Sequence, residues 1–102
     1  MASTTGTTTD HVDTITVYGA DWCPDCRRAE AVLTKAGVDY VKIDLVADET
    51  AAARAEAISG VRHIPVVVFP DGTFYVEPTN VELGLKLQAL GLASSTFVGG
   101  PR

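Results

Sequence analysis

Hydrophobic and polar residues alternate over Thr14-Ile15-Thr16-Val17-Tyr18, a β-branched stretch whose period of two predicts a strand. Gly19-Ala20-Asp21 interrupts the alternation. The apolar spacing then lengthens: Ala29, Val32, Leu33 and Ala36 stand at i, i+3, i+4 and i+7, one stripe of an amphipathic helix. Pro24 suits its first turn, where a missing N–H costs nothing, and Gly37 is placed to end it. Alternation returns over Tyr40-Val41-Lys42-Ile43-Asp44, completing a βαβ unit with parallel strands.

Asp48-Glu49-Thr50 opens a second helix, where acidic residues meet the positive end of the helix dipole. Ala51, Ala55 and Ile58 form its weak stripe, and Gly60 closes it. The most apolar run in the chain, Val66-Val67-Val68-Phe69, predicts a strand covered on both faces. Pro70-Asp71-Gly72 is a turn signal, so Thr73-Phe74-Tyr75-Val76 returns as a hairpin partner. In the last helix Leu83, Leu87 and Leu90 form one stripe, broadened by Val81 and Leu85; Thr79 or Asn80 caps its start and Gly91 its end.

The predicted order is βαβαββα: an α/β protein with a four-stranded mixed sheet, strand order 2-1-3-4, and helices on both faces. This is the minimal thioredoxin-like topology, with the run 66–69 central and antiparallel to the first strand. The domain is expected over 14–92, between flexible polar tails at 1–13 and 93–102.

Composition narrows the possibilities. A chain of 102 residues with 46% hydrophobic and 21% charged residues suits one soluble domain. A net charge of −5 and scattered Lys and Arg argue against a nucleic-acid partner. No apolar run is long enough to span a bilayer, and the Thr-rich N-terminus lacks the features of a secretory signal, so no membrane partner and a cytoplasmic location are expected.

The chemistry concentrates in Trp22-Cys23-Pro24-Asp25-Cys26, which holds the only two cysteines. In a reducing compartment a close pair is catalytic or metal-binding sooner than structural. Zinc wants four ligands. Only His11 and His63 could supplement the two thiols, and His11 lies in the expected tail, so no metal site is expected. The remaining reading is a dithiol that opens and closes a disulfide. Cys23, at a helix start with its sulfur exposed and its pKa lowered by the dipole, attacks a substrate disulfide; Cys26, one turn on and more buried, resolves the mixed disulfide.

With these residues in view, the chain resembles the glutaredoxin branch of the thioredoxin superfamily over about 14–92. The run Asp21-Trp22-Cys23-Pro24-Asp25-Cys26-Arg27-Arg28, together with Ile64-Pro65 and Phe69-Pro70-Asp71-Gly72, is similar to actinobacterial glutaredoxin-like proteins of the mycoredoxin type. The resemblance implies that Pro65 follows a cis peptide beside the cysteines, and that the Ile64 backbone pairs with an extended thiol substrate. Without the resemblance, Pro65 reads as an ordinary strand-starting proline.

It also implies electron transfer in cell redox homeostasis: a monomer, with no bound cofactor, reducing disulfide-containing proteins with mycothiol or glutathione as co-substrate. Two alternatives accompany this: recycling by thioredoxin reductase, and a non-enzymatic iron–sulfur module sharing Cys23 between subunits. Glutathione-using members usually carry Lys three residues before the first cysteine and a Gly-Gly-x-Asp-like turn before the last helix. Here those positions hold Ala20 and Glu77-Pro78-Thr79-Asn80, which brings mycothiol and thioredoxin reductase forward.

Around the dithiol, Trp22 reads as a partly exposed platform, and Pro24 as part of the motif. Arg62 and His63 are placed to hold a substrate carboxylate, although a solvated loop histidine is the simpler reading of His63. Thr79 and Asn80 are helix caps first and ligand contacts second. Asp21 and Asp25 either raise the pKa of the nearby thiolate or simply face water.

Overall fold

The computed structural model describes residues 4–7 and 14–92. In chain order the elements are β1 (Thr4–Thr7), β2 (Ile15–Gly19), α1 (Pro24–Lys35), β3 (Tyr40–Asp44), α2 (Glu49–Ser59), β4 (Val66–Val68), β5 (Thr73–Val76) and α3 (Asn80–Ala89). Strands β2 and β3 pair in parallel, from Ile15 opposite Tyr40 to Gly19 opposite Asp44. Strand β4 lies antiparallel to both β2 and β5, with Val67 opposite Val17 on one side and Tyr75 on the other. The four strands expected from the sequence therefore stand in the expected order, in a thioredoxin-like α/β arrangement.

The sheet nevertheless has five strands, in the order β1-β5-β4-β2-β3, which corrects the four-stranded expectation. The additional strand comes from the segment expected to be a polar tail. Thr4–Thr7 contains no large apolar residue, so it gives no alternating hydrophobic signal. Its recruitment rests on backbone pairing with the open edge of β5, helped by the β propensity of threonine. Gly6 stands opposite Phe74, and a Cβ there would come within 2.7 Å of the Phe74 ring, so the glycine lets the ring lie against the strand. The rest of the expected tails, 1–3, 8–13 and 93–102, lies outside the described residues.

The two faces of the sheet are covered by different helices. On one face Ile15, Val17, Val67 and Phe69 pack with Ala29, Val32, Leu33 and Ala36 from the α1 segment and with Leu83 and Leu87 of α3. On the other, Tyr18, Val66, Val68, Phe74 and Val76 pack with Ala51 and Ala55 of α2. Small alanines on α2 keep that helix close to the sheet. Val81 and Leu85, which broaden the α3 stripe in sequence, are exposed instead; only Leu83, Gly84 and Leu87 of α3 are buried.

Helix ends follow their local chemistry. The Asp48 carboxylate accepts from the N–H groups of Thr50 and Ala51. Thr79 and Glu82 form a reciprocal capping box at the start of α3. At the hairpin, burial alone would raise the Asp71 carboxyl, but hydrogen bonds from Lys86 and Thr73 hold it down at about 2. Among the described residues, no helix is long and apolar enough to cross a membrane.

Candidate active site

The site lies at the C-terminal end of β2, where the chain turns into α1. The Cys23 N–H donates to the Ala20 carbonyl at 3.1 Å, folding the chain back at the strand end. Cys23 is the N-cap of α1 with extended backbone (φ −84°, ψ 114°), and Pro24 occupies the first turn. In place of a capping hydroxyl or carboxylate, the Cys23 sulfur accepts from the Cys26 N–H at 3.3 Å. An N–H aimed at this sulfur, with the helix dipole behind it, suits a negatively charged atom.

Cys26 sits one turn further on and is wholly buried. Cys23 keeps 7% of its surface. The expected difference in depth holds, but the expectation of an exposed Cys23 sulfur is corrected: Cys23 is buried too. Ala20, Cys23 and Cys26 form a small cluster of their own, with Ile64 packed against it. Only a narrow part of Cys23 reaches solvent. Burial pushes the Cys26 thiol up to about 12, and the hydrogen bond with Cys23 adds to this, outweighing the opposing hydrogen bond with the Ala20 backbone.

Gly19 makes this packing possible. A Cβ at Gly19 would lie 2.7 Å from the Cys26 sulfur and 3.1 Å from its Cβ. Gly19→Ala is therefore expected to force Cys26 off β2 and destabilise the reduced protein by about 1–3 kcal/mol. The midpoint of urea unfolding checks this; an unchanged midpoint would show that the helix start yields freely.

Ile64–Pro65 is a cis peptide, and Pro65 is buried. The Glu77 N–H donates to the Pro65 carbonyl at 2.9 Å, tying this loop to the segment before α3. Trp22 is 69% exposed and flanks the cysteines as an open ring. Arg62, His63 and Ile64 line a groove of about 350 Å³ together with Leu45, Ala52, Ala55 and Val61. Arg62 donates to Glu56, which lines the same groove, at 3.0 Å.

The two aspartates of the motif are both paired. Asp25 lies 3.4 Å from Arg28. Asp21 accepts from Lys42, and that hydrogen bond holds its carboxyl below the usual range. Thr79 is occupied by the capping box with Glu82, and Asn80 accepts from Arg28 at 2.6 Å. Arg28 also donates to the Pro78 carbonyl at 3.0 Å, so it fastens the start of α1 to the start of α3. In sequence Arg28 reads only as an exposed helix residue. Lys42, on β3, was not legible as a neighbour of the site either. Among the described residues, no group of three His, Cys, Asp or Glu side chains could hold a metal ion.

Known proteins resemble this chain in sequence and fold. Residues 15–75 match the glutaredoxin family model. Mycoredoxin 1 of Corynebacterium glutamicum is 36% identical over 77 residues, covering 74% of this chain and 95% of that protein. Among solved structures, a glutaredoxin of Archaeoglobus fulgidus superposes with a TM-score of 0.58 at 28% identity, over 76% of this chain and 84% of that one. NrdH-redoxin of Escherichia coli, a glutaredoxin-like protein with a thioredoxin-like activity profile, gives 0.56 at 26% identity, over 63% and 83%. The matched stretch runs from β2, through the cysteine turn and the cis-proline loop, into β5, and on that ground the chain belongs to the glutaredoxin family.

Proposed function

We propose that this protein is a thiol–disulfide oxidoreductase that reduces protein disulfides and mixed disulfides of low-molecular-weight thiols. The observation that carries this is the Cys23 sulfur at the helix start, receiving the Cys26 N–H, with the buried Cys26 thiol one turn behind it. The Cys23 thiolate attacks one sulfur of the substrate disulfide. The Cys23–substrate bond forms, the substrate S–S bond breaks, and one thiolate leaves. Cys26 then attacks the Cys23 sulfur and expels the second substrate sulfur as a thiolate, its own proton passing to a base. Substrate gains two electrons, and the protein is left with a Cys23–Cys26 disulfide. Trp22 and Ile64 flank the approach to Cys23, and the Ile64 backbone pairs with the extended substrate.

A low-molecular-weight thiol closes the cycle, and mycothiol fits better than glutathione. Support comes from the similarity to a mycoredoxin and from the paired state of Thr79 and Asn80. The same pairing favours a second reading, recycling by thioredoxin reductase as befits a thioredoxin-like activity profile. With the dithiol kept reduced between turnovers, a reducing cytoplasm is the working compartment.

NADPH oxidation coupled to disulfide reduction tests the proposal, with three parallel arms: mycothiol and its reductase, glutathione and its reductase, and thioredoxin reductase alone. Turnover is expected with mycothiol, and at most weakly with glutathione. Turnover with thioredoxin reductase alone would favour the second reading, and absence of turnover in all three arms would overturn both.

A further inference from the structure

Glu30 is the half-buried acid that the disulfide exchange above leaves unused. Its side chain is only 15% exposed, and its Oε2 is shielded from solvent without a hydrogen-bond donor. Oε1 accepts weakly from the Tyr40 hydroxyl at 3.5 Å, and Lys42 Nζ stands 3.7 Å from Oε2. No donor claims the Oε2 lone pairs, and the Lys42 charge nearby favours the ionised carboxylate that a base has to be.

Its position on α1 selects the donor. Cys26 and Glu30 are i and i+4, neighbours on one helix face about 5–6 Å apart at Cβ. Long helical side chains lean toward the N-terminus and cover the preceding turn, which for Glu30 is the turn that carries Cys26. The electrostatics agree: the charge of Glu30 reaches Cys26 and favours its protonated form. The other charged or titratable groups around Glu30 come from β3 and the β2–α1 turn. Tyr40 and Lys42 face it directly, while Asp21 and Asp44 act on it through Lys42.

We propose that Glu30 is the proton acceptor for Cys26 when the mixed disulfide is resolved. The inference rests on the dithiol reading above. The Cys26 S–H bond breaks, its proton moves to Glu30 Oε2, and the new thiolate attacks the Cys23 sulfur, expelling the substrate thiolate. Lys42 keeps its hydrogen bond to Asp21 while Glu30 is neutral. The need for such a base is large. Burial, the largest cause, disfavours the Cys26 thiolate and persists in the mixed disulfide, so the thiol stays protonated at neutral pH.

The test is rapid mixing of the reduced protein with an aromatic disulfide that releases one coloured thiolate when Cys23 attacks and a second when Cys26 resolves. In Glu30→Gln the second phase is expected to slow about 10²-fold at pH 7, the range of a lost general base. Its rate should then climb roughly tenfold per pH unit as hydroxide replaces the carboxylate. Glu30→Asp should keep the shallow wild-type pH profile. A second phase of wild-type rate and profile in Glu30→Gln would overturn the proposal. So would a slowed second phase whose pH profile is unchanged, since that marks a role in packing alone. Absence of both phases in the wild type would instead overturn the dithiol reading itself.

Discussion

Replacing Cys23 with serine is expected to abolish reduction of both protein disulfides and mixed disulfides, by a factor on the order of 10³ or more. Serine can still cap α1 and accept the Cys26 N–H, so the helix start and the fold should survive. What disappears is a sulfur able to carry charge and form a bond to another sulfur. Thermal unfolding of Cys23→Ser near the wild-type temperature, with activity at background in the NADPH-coupled assay, is the expected outcome. Residual activity on a small mixed disulfide would mean that Cys26 can act as the entry thiol. Its complete burial and its thiol at about 12 argue against that.

Cys26→Ser should divide the two activities. On a mixed disulfide with a small thiol, Cys23 alone can remove the small thiol and a second thiol molecule can release it, so activity should persist within a few-fold of wild type. On a protein disulfide the second sulfur is needed to free the bound substrate, and the variant should trap it as a covalent adduct visible by mass spectrometry. Equal loss on both substrates would contradict the assignment of roles.

The same variant tests burial of the thiol. Cys26 is held above its ordinary value of 9.0, so the folded reduced protein retains a proton that the unfolded chain releases in alkali. Its contribution to stability is complete below about pH 9 and is lost as the pH rises toward about 12. Denaturation midpoints of the reduced protein should therefore fall over that interval more steeply in wild type than in Cys26→Ser. Parallel slopes would show that Cys26 is hydrated.

Much of the site was legible because its parts are adjacent in the chain. A strand, a break, two cysteines two residues apart and a proline-started helix place Cys23 at the helix start and Cys26 one turn deeper with no long-range information. The start of α3 was legible for the same reason, with Thr79 or Asn80 as its cap, since a cap acts within three residues of itself; Asp48 was legible only as an acidic residue facing the helix dipole. The cis Ile64–Pro65 peptide was expected only through resemblance to relatives; nothing local to Ile64 distinguishes it from a strand-starting proline.

Contacts across the sheet and between helices were not legible. Arg28 looks like solvated charge until α3 brings Asn80 and the Pro78 carbonyl to it. Asp21 and Asp25 look like free negative charges beside a thiolate until Lys42 and Arg28 pair with them. Cys23 looks exposed until the β2 turn and Ile64 fold over it. Thr4–Thr7 lacks apolar alternation, and it becomes a strand only because β5 offers an unpaired edge.

Local periodicity, turn residues and caps thus determined the order of elements and the placement of the two sulfurs, because hydrogen bonds within a helix or turn depend on near neighbours. Only the folded sheet decided how deep those sulfurs lie and which charges are cancelled. Burial and charge pairing are properties of residues distant in sequence, and they exist only once β3, α3 and the cis-proline loop have closed around the helix start.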